Sequence, residues 1–128
     1  MIIVETRNDL PWQRLQDMAC DLNYTRPEWL ASIEFTVDGG KHWNIWDAMT
    51  PDQYQDAWLI KIRCEDPDGE ERWLEKKLDG EDIRRILLEK SRDGKYNRHF
   101  RAWIFDNADW ETADSIFQLL AYGEIVFG

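Results

Sequence analysis

The chain has 128 residues, 26 acidic and 16 basic side chains and a net charge of −10, and it is 43% hydrophobic and 13% aromatic. Such a chain is not disordered, because disordered chains lack aromatic residues and cannot bury enough apolar surface; its size is that of one domain spanning 1–128. A pI near 4.6 lacks the basic footprint that direct nucleic-acid binding needs, and it disfavours adhesion to anionic membrane.

Met1–Thr6 reads as a short strand, too brief in its apolar run for a signal peptide, so the expected compartment is the cytoplasm. Asn8-Asp9-Leu10-Pro11 starts a helix near 11–22, with Trp12, Leu15, Ala19 and Leu22 at helical spacing. Thr25-Arg26-Pro27-Glu28 fits a capping box opening a single helical turn, after which Ala31, Ile33, Phe35 and Val37 alternate as a strand. Asp38-Gly39-Gly40 is a hairpin turn and Lys41–Trp46 the returning strand, and Thr50-Pro51-Asp52-Gln53 opens a short helix to about Ala57.

Trp58, Ile60, Ile62 and Cys64 alternate along the next strand, and Asp66-Pro67-Asp68-Gly69 turns it into a partner near Glu71–Lys77. Asp79 caps a helix to about Lys90, supported by Glu81 four residues before Arg85. His99–Phe105 reads as a last long strand, with His99, Arg101, Trp103 and Phe105 on one face. Asn107 or Asp109 caps a final helix with Trp110, Ala113, Phe117, Leu120 and Ala121 inward, ended by Gly123. The expected fold is α+β, a mainly antiparallel sheet of four to six strands with about three amphipathic helices.

Candidate chemistry is sparse. His42 and His99 sit in no metal-ligand spacing and read as surface or rim residues, while Cys20 and Cys64 read as buried thiols. Asp66-Pro67-Asp68-Gly69 is a turn and not a calcium loop, whose Gly belongs at the sixth position. No Gly-rich phosphate loop is present, and no cofactor or metal is implied.

Charge and tryptophan carry more. Residues 102–128 hold five acids and no base, whereas 61–101 hold eleven acids and twelve bases, so the charge is polar along the chain. Asp106, Asp109, Glu111 and Asp114 form a candidate partner-binding patch, with Glu111 and Asp114 on the exposed face of the last helix. Helix capping by itself explains the first two, and capping plus solubility is the favoured reading of the run. Of eight tryptophans, Trp12, Trp58 and Trp110 are placed in the core. Trp43 and Trp46, three apart in a strand, cannot both point inward, so one is an interface-anchor candidate.

By size and composition the chain resembles two groups of small, acidic, aromatic-rich α+β proteins. These are immunity proteins that neutralise bacterial toxins and phage-encoded inhibitors of host defence. Neither group shares a motif, so no residue is carried over. The expected function is a non-enzymatic inhibitor that binds and blocks a basic, nucleic-acid-handling protein, with no direct contact to nucleic acid or membrane. Two alternatives stand beside it: a small enzyme or ligand-binding protein with a Trp-lined cleft and a site assembled from His42, His99 or Cys64, and a structural or assembly subunit.

Overall fold

A computed structural model describes residues 14–36, 59–69, 72–105 and 109–127. In chain order these form α1 (Leu15–Tyr24), β1 (Leu30–Thr36), β2 (Leu59–Glu65), β3 (Trp73–Asp79), α2 (Gly80–Ser91), a 3-10 turn at Gly94–Tyr96, α3 (Asn97–Ile104) and α4 (Trp110–Tyr122). The fold is α+β. Its described sheet is antiparallel in the order β1-β2-β3, three strands where four to six were expected. The expected strand at Met1–Thr6, the Asp38–Trp46 hairpin and the helix after Thr50 lie outside the described residues, as do Trp12, His42 and Trp58.

Alternation builds the sheet. Ile60, Ile62 and Cys64 of β2 are buried and Leu74 and Leu78 of β3 pack against the same core. Lys61 lies on the other face, 3.6 Å from Glu34 and 4.0 Å from Glu75. In β1 the register slips between Leu30 and Ser32, which puts two residues of β1 against one of β2. Such a bulge re-aims side chains. Leu30 and Ile33, three apart, are thereby both buried. The Asn23 amide meets β1 from α1: its Oδ1 accepts from Ile33 N at 2.9 Å and its Nδ2 donates to Ile33 O at 2.8 Å.

The helices cover the inner face of the sheet. Leu15, Met18, Ala19 and Leu22 bury one stripe of α1, and Ile83 and Leu87 do so for α2. The Asp79 cap expected for α2 is present and forms a full capping box, Asp79 Oδ1 accepting from Asp82 N and Asp82 Oδ2 from Asp79 N. Arg85 pairs with Asp82 at 3.1 Å, where Glu81 was the expected partner. α4 is buried on almost every side, from Thr112 and Ala113 through Ala121. A helix buried over most of its circumference belongs at the centre of a core. Gly123, at φ 76°, closes it in the left-handed conformation glycine adopts without strain.

Three expectations are corrected. The segment His99–Phe105 is not a strand: Asn97–Ile104 is helical, because Tyr96, Phe100 and Trp103 recur at helical spacing and are buried while Arg98 and Arg101 stay exposed. Arg14 holds the end of this helix, its Nη1 donating to Trp103 O at 3.0 Å and Ile104 O at 3.3 Å. Thr25 does not open a helical turn; it ends α1, and Pro27 O accepts from Leu30 N at 3.1 Å in a tight turn. Cys20 is exposed, whereas Cys64 is buried as expected.

Candidate partner-binding site

The N-terminus of α4 organises the acidic residues. Asp109 caps it, its Oδ1 accepting from Thr112 N at 2.9 Å and Thr112 Oγ1 at 3.1 Å. These bonds, led by the one from the Thr112 amide, hold the Asp109 carboxyl below the ordinary range. Two residues on, Glu111 is exposed and pairs with Arg98 of α3 at 3.0 Å. The field of this patch is therefore partly cancelled by a base that sequence distance hid.

His99 lies beside them. Arg98, His99, Asp109, Glu111 and Thr112 line a shallow hollow of about 130 Å³. His99 is buried, contrary to the expected rim position, because it sits on the inward side of a helix. Burial first, then the Arg98 charge, lowers its pKa.

Asp114 departs most from expectation. It is half-buried, and its Oδ1 accepts from the Trp29 indole N–H at 2.5 Å, with Gln118 Nε2 at 3.4 Å from both carboxylate oxygens. Burial pushes its carboxyl above the ordinary range, against the pull of the Trp29 and Gln118 bonds. Trp29 itself is buried, edge-on to Tyr122 at 5.8 Å, and Tyr122 stands edge-on to Phe127 at 5.8 Å.

Trp110, placed in the core by its helical spacing, is instead 40% exposed. Its indole N–H donates to Thr25 O at 2.7 Å, which anchors the ring across the end of α1. Between Trp110, the Arg26–Trp29 turn and the Val126–Phe127 tail opens a groove of about 710 Å³, whose lining includes the acidic residues Glu28, Glu65 and Asp114. The tail is positioned by Gln118, which is fully buried: its Oε1 accepts from Val126 N and Phe127 N, and its Nε2 donates to Phe127 O.

Of the sequence-predicted site residues, Asp109 at the cap of α4 and Glu111 in its first turn line one depression, and Asp114 further along α4 lines another. Asp106, Trp43 and Trp46 lie outside the described residues. The groove adds Trp29, Trp110, Glu28, Glu65 and Phe127, which sequence reasoning did not assemble. A signal existed only for Trp29, which follows a Pro-Glu turn and breaks the helical spacing before β1. Among the described residues no three His, Cys, Asp or Glu side chains converge so as to hold a metal ion, and no helix is long and apolar enough to cross a membrane.

No protein family, curated protein or solved structure matches this chain.

Proposed function

We propose that this protein is a non-enzymatic, acidic interaction protein that binds and blocks a basic protein partner, one that handles nucleic acid, in the manner of an immunity protein or a phage-encoded inhibitor of host defence. The observation that carries this reading is the groove beside α4, whose lining joins three acidic residues to two tryptophans and a phenylalanine. Exposed indole next to acid is the chemistry of a hot spot that receives a cationic surface: the ring anchors by desolvation and the carboxylates select for positive charge. The net charge of −10 adds long-range attraction for such a partner.

Inhibition follows from occupancy. A basic protein whose cationic cleft is covered by this face loses access to the phosphates it would otherwise bind. The test begins with capture from an extract of the source cells on the immobilised protein, comparing what is retained at about 0.1 M salt and released at about 1 M, where the Debye length falls from about 10 Å to about 3 Å. Each retained basic protein is then purified and its own activity titrated with this chain. Stoichiometric loss of that activity is the expected result. A partner that is acidic, or whose activity does not change at saturation, would overturn the proposal.

A further inference from the structure

We infer that the groove between Trp110, the Arg26–Trp29 turn and the Val126–Phe127 tail is a socket for one arginine side chain of the partner. This deepens the proposed function and rests on it. The groove combines an indole held in place, a half-buried carboxylate and room for a long side chain, about 710 Å³ open to solvent.

Charge complementarity selects the occupant. Glu28, Glu65 and Asp114 line the groove, and no cationic side chain pairs with any of them among the described residues. Arg26 is the one base on the lining among the described residues, its Nη1 donating to Ala31 O at 2.6 Å, so three acidic residues outnumber one base there. Among the described residues Asp114 accepts hydrogen bonds from Trp29 and Gln118, both neutral. A half-buried carboxylate served by neutral donors has no opposite charge among those donors to offset its burial, which pushes its pKa up. An arriving cation relieves that.

The aromatic walls favour guanidinium over ammonium. Trp110 has its N–H fixed on Thr25 O, so its ring is offered as a preset platform. A guanidinium stacks on indole, is less strongly hydrated than an ammonium, and meets a carboxylate with two parallel N–H donors. The tail wall is rigid for the same purpose, since the Gln118 amide holds the backbone of Val126 and Phe127.

The test uses the full chain labelled with ¹⁵N and three capped tripeptides, Gly-Arg-Gly, Gly-Lys-Gly and Gly-citrulline-Gly, the last a neutral isostere of arginine. The arginine peptide should move the Trp29 and Trp110 indole N–H resonances with a Kd on the order of 1–10 mM, as suits a single side chain. The citrulline and lysine peptides should bind at least about fivefold more weakly. Asp114→Asn, which keeps an oxygen for the Trp29 N–H, and Trp110→Ala should each weaken the arginine peptide about fivefold or more, with the remaining spectrum unchanged. Equal shifts from the arginine and citrulline peptides, or equal binding of arginine and lysine, would overturn the assignment. So would wild-type affinity in both variants. If the peptides fail while the captured partner is still inhibited, the socket is wrong and the proposed function stands; if inhibition fails as well, both fall.

Discussion

The Trp29 indole N–H reaches Asp114 Oδ1 at 2.5 Å across 85 residues of sequence, tying the turn before β1 to the exposed side of the central helix. The bond does two things at once. It satisfies a buried indole, and it gives a half-buried carboxylate one of its few donors. Trp29→Phe keeps the apolar ring and deletes the donor, so it should cost about 1–3 kcal/mol in urea denaturation, the penalty for leaving a partly buried acceptor unserved. An unchanged midpoint would show that water serves Asp114 equally well.

Asp114 should also make stability depend on pH with an unusual sign. Its folded-state pKa lies above the ordinary 3.8, chiefly through burial. The folded chain therefore holds the proton more tightly than the unfolded one, and the carboxylate costs stability as pH rises through that raised range. Asp114→Asn should raise the melting temperature at neutral pH, and the advantage should shrink as pH falls toward the ordinary aspartate range. A variant less stable than the parent at neutral pH would contradict this.

His99 has the opposite dependence. Its pKa is depressed from 6.5, burial being the main cause. The unfolded chain takes up the proton first, so the stability the neutral imidazole contributes is present above about pH 6.5 and is lost as pH falls through the depressed folded value. Melting temperature measured from about pH 7.5 to about pH 5 should fall less steeply in His99→Gln than in the parent. Parallel curves would remove His99 as the source of that slope.

Asp109 and Glu111 separate structure from recognition. Asp109→Ala removes the cap of α4 and should cost about 1 kcal/mol. Glu111→Lys breaks only a pair in which both side chains are largely exposed, and should change stability by less than about 1 kcal/mol. Glu111→Lys combined with Glu28→Lys is thus a clean probe: association with the basic partner should slow about tenfold at low salt and approach the parent rate at high salt. Unchanged association with the fold intact would retire the acidic patch.

Gln118 should govern the tail. Gln118→Leu keeps the buried volume but strips three backbone groups of their partners. Amide exchange at Val126 and Phe127 should accelerate at least about tenfold while exchange in the middle of α4 stays near the parent rate. Retained protection would mean that Phe127 packing on Tyr122 fixes the tail alone.

Where one hydrophobic period stood alone, the sequence was sufficient. Asp79, the inward Ile83 and Leu87 and the following Asp93-Gly94 mark α2, and the alternation of Ile60, Ile62 and Cys64 marks β2, because local backbone periodicity and end-capping chemistry act over a few residues. The segment around His99–Phe105 satisfied two periods, with aromatics at 103 and 105 suiting a strand and at 96, 100 and 103 a helix. Only the core decided between them, by taking in Phe100 and Trp103 together with Tyr96.

The site was less legible for a related reason. That the chain is acidic and rich in tryptophan is written in its composition, and so is the cap at Asp109. Which carboxylate is exposed is not. Glu111 and Asp114 look equivalent three residues apart on a helix, yet Arg98 comes from α3 to neutralise the first and Trp29 from the turn before β1 to shelter the second. Trp110 has the spacing of a core residue, but the end of α1 takes its N–H and leaves its ring half in solvent. Helical periodicity says which way a side chain leaves its own helix; what waits there is set by segments distant in the chain, and only their packing places Trp29, Trp110, Asp114 and the tail around one groove.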